Sequence, residues 1–277
     1  MADAAKTLSR LAPPTAGLTQ RLANWLVVLV TVAILAVSFF GADIGDLHLM
    51  IDKWGNTATF LKDFLQPRFG NLADYANSDL KSYVDAMWVT IQTAIWGTVL
   101  SVVVAVPLSL LCAGNIAPQW IVQPMRGLMN VLRAFPELVL GIAFIVAVGP
   151  GPLAGTLALA INNTGVLAKL FSEAVEAIEV APVEGVRAAG GNRVHEIVWG
   201  VIPQVGPLWT SFALYRFESN ARSATVLGLI GAGGIGRLLF DNLNGFDYHA
   251  VSAIAVVIVI AVTAIDVLSQ QIRKRLI

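Results

Sequence analysis

Six charged or polar side chains stand inside stretches that are otherwise apolar. Arg133 and Glu137 interrupt one apolar run; Arg216, Glu218, Asn220 and Arg222 interrupt another. A charge at the centre of a bilayer costs roughly 2.5–3.5 kcal/mol on insertion scales, so five such charges facing lipid would cost on the order of 10 kcal/mol or more. They must face protein or a watery cavity. Arg133 and Glu137 are four residues apart, as are Glu218 and Arg222, so each pair can meet on one helix face. Two readings stay open: paired charges that hold helices together, or the lining of a path. Three arginines against two glutamates leave one positive charge in excess, and the planar guanidinium suits phosphate geometry. A path of this kind passes an oxyanion weakly, because the cargo must leave again.

Other chemistries find little support. No Ser-His-Asp order and no metal-ligand spacing rises above chance, and His48, His195 and His249 lie far apart. The expectation is no catalytic residue, no metal site and no cofactor in this chain. Gly231, Gly233 and Gly236 formally match the dinucleotide pattern G-x-G-x-x-G, but that site needs a preceding strand and an acidic residue about 20 positions on. Here the glycines follow an apolar span, and Asp247 and Asp266 stand at the wrong distances. Gly231, Gly233, Gly234 and Gly236 are better read as a gate or hinge, or as sites of close helix packing. The single Cys112 excludes a disulfide framework.

The elements that position these residues follow from composition. The 277-residue chain is 56% hydrophobic, 13% charged and has zero formal net charge. Average soluble domains carry about 25% charged residues, so the chain reads as an all-α integral membrane protein, with no global field for nucleic acid. About six spans are expected: 25–42, 86–113, 124–148, 153–171, 206–230 and 250–268. Residues 1–24 form a polar tail. Residues 43–85 form an outer loop, in which Phe60, Leu61, Phe64 and Leu65 fall at helical spacing and predict a short amphipathic helix on the membrane surface. Pro107 should kink the second span, Pro136 interrupts the third, and Asn162 and Asn163 weaken the fourth. With the N-terminus inside, the inner segments hold ten Lys/Arg, Lys6 to Arg275, against five outside. Both termini are therefore expected on the cytoplasmic side.

The largest internal polar loop, 173–203, then also lies inside. Pro182 can open a short helix because its missing N–H would be unpaired there. Val183, Glu184, Gly185, Val186, Arg187, Ala188 and Ala189 continue it, and Gly190-Gly191-Asn192 end it. A second helical run follows to Pro203. Such a loop across the ends of two spans is a lever.

Glu184, Gly190 and Pro203 stand in the spacing E-x(5)-G-x(12)-P. With Gly185, Val186 and Ile202 this resembles the EAA loop of ABC importer permeases; Gly185 and Val186 depart from the usual alanines. Three further stretches, YRFESNARSATVLGLIGAGGIG (215–236), RAFPEL (133–138) and GPGPLAG (149–155), are similar to phosphonate permeases, the membrane subunits of phosphonate/phosphate-type importers. The likeness covers residues 86–277. Methionine permeases share the GAGG-type ending.

The resemblance implies a permease core that works as two copies of this chain. Two ABC ATPase subunits would carry the ATP and Mg beneath it, and an extracytoplasmic solute-binding protein would dock outside. Its fold would be a multi-pass bundle surrounded by membrane lipid, with the 173–203 loop coupling ATP hydrolysis to transport of a phosphonate or a related oxyanion. A permease for methionine or another solute, and an ATP-independent channel or secondary transporter, remain as alternatives.

Overall fold

A computed structural model describes residues 17–41, 54–70 and 78–276. The tail before residue 17 and parts of the 43–85 loop lie outside the described residues. The chain divides into two units, Met1–Leu61 and Lys62–Ile277. In the first, α1 (Leu18–Gly41) is apolar and long enough to cross a bilayer. The expected amphipathic helix is α2 (Trp54–Phe64), which begins earlier than its phenylalanines suggest.

The second unit is all helix and connecting turns among its described residues. Helix α3 (Asp79–Cys112) starts seven residues before the apolar run because Ser78 caps it, accepting from the amide of Lys81 at 3.4 Å. It runs on through Pro107. Helix α6 (Pro152–Glu176) is modestly apolar, yet two-thirds of its 18-residue apolar stretch is buried. It packs against α3, α4 (Gln119–Ala134), α5 (Glu137–Val148) and α9 (Ile202–Leu227). Small residues let these helices approach. A Cβ on Gly97 would stand 2.9 Å from Leu159 Cβ, and one on Gly165 would stand 3.0 Å from the Met129 carbonyl.

The expected third span is two helices. Proline at 136 drives Phe135 out of the helical region (φ −76°, ψ 123°), and α4 and α5 meet at 84°. The break leaves carbonyls without helical partners. Asn162 on α6 donates to the Phe135 carbonyl at 2.9 Å, so a residue expected to weaken its own span supports the break in another.

After α6 come α7 (Val180–Ala188), the single turn α8 (Arg193–His195), a π-helical turn (Glu196–Val201) and α9. A second π turn (Gly228–Ala232), α10 (Gly234–Asn244) and α11 (Tyr248–Leu276) complete the unit. Three apolar clusters stack along the bundle. At the end bearing α7, Phe171 and Trp209 stack at 4.9 Å within a core that includes Cys112, Leu167 and Val205. Ala94, Leu159, Ala221 and Leu227 fill the middle. Tyr83, Met87, Ile235 and Ile254 fill the far end.

Candidate functional site

At the α7 end, the helix opens two residues before Pro182 and closes at Gly190, whose φ is +85°. That left-handed turn is the one the Gly-Gly-Asn sequence predicts. Val183 and Val186 are half-buried and anchor α7: Val183 lies on Gly200, and Val186 closes over Gly191. Pro182, Glu184, Gly185, Arg187, Ala188, Ala189 and Gly190 are exposed, as is Pro203 on α9. The valine at 186 therefore does packing work, while Gly185 faces open space.

An ionic tie from α7 to the rest is made by Glu196, a residue that the sequence spacing does not single out. Its carboxylate accepts from Arg187 Nε at 2.7 Å and from Arg193 at 2.9 Å, and is 8% exposed. Arg193 also donates to the Ile116 carbonyl at 3.0 Å, so one buried acid ties α7, α8 and the α3–α4 turn together. The helical run 193–232 has 40 residues, about 60 Å, roughly twice the hydrocarbon thickness. A crossing takes roughly 20 residues, so the first turns of this run, with Glu196, are in excess of what a crossing needs. There the hydrogen bonds from Arg187 and then Arg193 pull the Glu196 carboxyl down to about 2. The same contact raises the Arg187 guanidinium. Gln204 adds a further tie, accepting from the Glu179 amide at 3.0 Å and donating to its carbonyl at 3.2 Å.

In the middle of the bundle the charges pair differently from expectation. Arg133 and Glu137 do not meet on one helix face, because the 84° break lies between them. Glu137 instead meets Arg216 of α9 at 3.4 Å. Arg133 is exposed at the end of α4, with no carboxylate partner among the described residues. Arg216 donates twice to Asn163 Oδ1. Asn163 donates to Asn220 Oδ1 at 2.7 Å, and Asn220 donates to Thr98 at 2.8 Å. This ladder is buried from Asn163 through Asn220 to Thr98, half-buried at Arg216 and Glu137, and joins α3, α6, α9 and α5. Glu218 and Arg222 do meet, at 3.2 Å, and α11 adds two groups: Asp266 to Arg222 at 3.3 Å and Arg273 to Glu218 at 3.1 Å. An asparagine inside a span was the visible signal for Asn163. Nothing in the sequence spacing signals Asp266 and Arg273.

At the far end, Gly231, Gly233 and Gly234 take φ values of 111°, 80° and 69°. The Gly151 amide donates to the Gly231 carbonyl at 3.0 Å, and Thr90 Oγ1 accepts from the Ile235 amide at 2.9 Å. Gly228 and Gly236 lie in backbone contact: a Cβ on Gly228 would be 2.8 Å from Gly236 Cα. The GPGP and GAGG stretches thus form one joint.

Residues 105–277 match the family described as binding-protein-dependent transport system inner membrane component. The chain belongs to this family. It is 37% identical over 230 residues to the phosphite transport system permease protein PtxC of Stutzerimonas stutzeri, covering 83% of this chain and 81% of that protein. It is 57% identical over 121 residues to the putative cryptic phosphonate transport system permease protein PhnE2 of Escherichia coli K12, covering 44% of this chain and 99% of that one. Over 192 residues it is 40% identical to the phosphate-import permease protein PhnE of Mycolicibacterium smegmatis, covering 68% of this chain and 36% of that longer protein. Among solved structures, the inward-facing MetNI methionine ABC transporter superposes with a TM-score of 0.62 at 19% identity, over 70% of this chain and 95% of that one. That likeness concerns the fold. This inner-membrane transport component therefore shares its architecture with ABC importer permeases, a family that works with ATPase and binding-protein partners.

Proposed function

We propose that the chain forms the membrane path by which a phosphite, phosphonate or phosphate-type oxyanion enters the cell, as two copies above two ATPase subunits. The observation that carries this reading is the central charged layer, in which Arg216, Arg222 and Arg273 meet Glu137, Glu218 and Asp266. These pairs balance in charge, and Arg133, four residues before Glu137 and with no carboxylate partner among the described residues, is one positive charge over and above them. Guanidinium groups suit phosphorus oxyanions, and the named relatives serve such cargo. Methionine, the cargo named for MetNI, is a zwitterion and gives no reason for the excess charge.

Coupling runs through α7. Its exposed face, with Glu184 and the Gly190 turn, meets the ATPase subunit, which holds ATP and Mg. Approach of the two ATPases moves α7, and Glu196 carries that movement to α9 and to the α3–α4 turn. The glycine joint at the far end is the gate, where a binding protein delivers the oxyanion. Native mass of the gently extracted complex tests the assembly: two copies of this chain with two ATPase subunits are expected. A lone chain or a homo-oligomer active without ATP would overturn the reading.

A further inference from the structure

Within the central layer, one carboxylate differs from the others. Glu218 is held by two arginines, Arg222 and Arg273, and Asp266 faces Arg222 across a helix pair. Glu137 makes one ion pair among the described residues, to Arg216 at 3.4 Å, much as Asp266 makes one at 3.3 Å, but of these three acids it is Glu137 that lines an open cavity. Arg216 does not depend on it for position: Asn163 aims the guanidinium through two hydrogen bonds, and Asn163 is itself fixed by Asn220 and Leu159. A cavity of about 370 Å³ opens beside Glu137 and reaches Arg222 and Ser223. The Glu137 carboxylate therefore stands between an aimed arginine and an open space that a second arginine also lines.

We propose that Glu137 is a built-in stand-in for the cargo. Resting on the reading of this layer as the path, it occupies the place beside Arg216 that a tetrahedral phosphorus oxyanion takes in passage. The physical need is plain. An arginine held away from water with nothing opposite it is costly, so an empty path needs a resident anion. A resident anion on a single contact can yield to an arriving one. It also returns when the cargo moves on, which keeps the site weak and the cargo mobile. The position of Glu137 at the first turn of α5, just past the 84° break, lets the carboxylate swing without disturbing Arg216.

The test uses the complete complex, this chain with its ATPase subunits in lipid nanodiscs, and inorganic phosphate as probe. The wild-type complex should bind radiolabelled phosphate weakly at equilibrium. Glu137→Gln should bind it at least about tenfold more tightly, the effect of removing one competing charged hydrogen bond. The gain should vanish in Glu137→Gln combined with Arg216→Gln. Glu137→Asp keeps the charge but shortens the reach to Arg216, and should show a gain of the same sign; it serves if the glutamine variant fails to assemble. Uptake by Glu137→Gln should slow, because the cargo leaves late. Unchanged phosphate binding in both Glu137 variants, with uptake still lost in Arg216→Gln, overturns the stand-in and leaves the path intact. Normal uptake by Arg216→Gln removes the path and the stand-in together.

Discussion

Replacing Asn163 by leucine takes out the centre of the buried ladder while nearly preserving volume. The guanidinium of Arg216 loses the oxygen to which it donates twice, and Asn220 loses a donor at 2.7 Å. A hydrogen bond to a charged group is worth about 1.5–3 kcal/mol, and a side-chain bond between membrane helices averages about 0.6 kcal/mol. The variant should therefore be less stable by about 2–4 kcal/mol. At roughly 2–4 °C per kcal/mol for a chain of this size, that is a fall in Tm of about 5–15 °C. Tryptophan fluorescence during heating of the detergent-purified complex reads it. Asn163→Asp separates stability from transport: it keeps an acceptor for Arg216 and adds a charge, so Tm should lie between wild type and the leucine variant. The new ion pair holds Arg216, and uptake should fall about tenfold or more. A leucine variant within 2 °C of wild type that still transports would refute the claim that this ladder positions the path arginine.

Other variants probe the two ends. Gly190→Ala meets no atom within 4 Å of its Cβ but must hold φ at +85°; the local cost of about 1–2 kcal/mol should leave the complex assembled while ATP hydrolysis proceeds without matching uptake, and Glu184→Ala should do the same. Gly236→Ala would drive a methyl into the Thr225 carbonyl and the Gly228 backbone, so a loss of at least about 3 kcal/mol and a reduced yield of complex are expected in a thermal scan. The Glu196 carboxyl is held down to about 2 in the folded loop, so its contribution is fully present above its ordinary value and is lost as pH falls through about 2. Protease cutting of the α7 loop should accordingly be slow and unchanged from pH 7 to about 5 in the wild type. It should be fast already at pH 7 in Glu196→Gln, with no further change on acidification.

Much of this was legible in the chain because local rules govern it. Apolar runs mark the spans, Gly190 marks a left-handed turn, and Glu218 and Arg222 meet because they share a helix face. The misreadings are tertiary. Arg133 and Glu137 have the same four-residue spacing as Glu218 and Arg222, but Pro136 lies between them, and the bend sends Glu137 to a partner 79 residues away. Glu196 sits three residues from Arg193 and nine from Arg187. Spacing alone cannot say that this acid, and not the exposed Glu184, ties the lever to the spans. Asp266 and Arg273 belong to the charged layer only because α11 packs along α9. The start of α3 at Asp79 reflects a capping serine, which an apolar window does not see.

The most direct measurement is uptake by proteoliposomes carrying the complete complex and its binding protein, with ATP inside and labelled phosphite, methylphosphonate, phosphate and methionine offered in turn. ATP-dependent entry of at least one phosphorus oxyanion, abolished by Arg216→Gln and not competed by methionine, is the predicted result. Entry of methionine alone, or oxyanion flux that continues without ATP, would contradict the account.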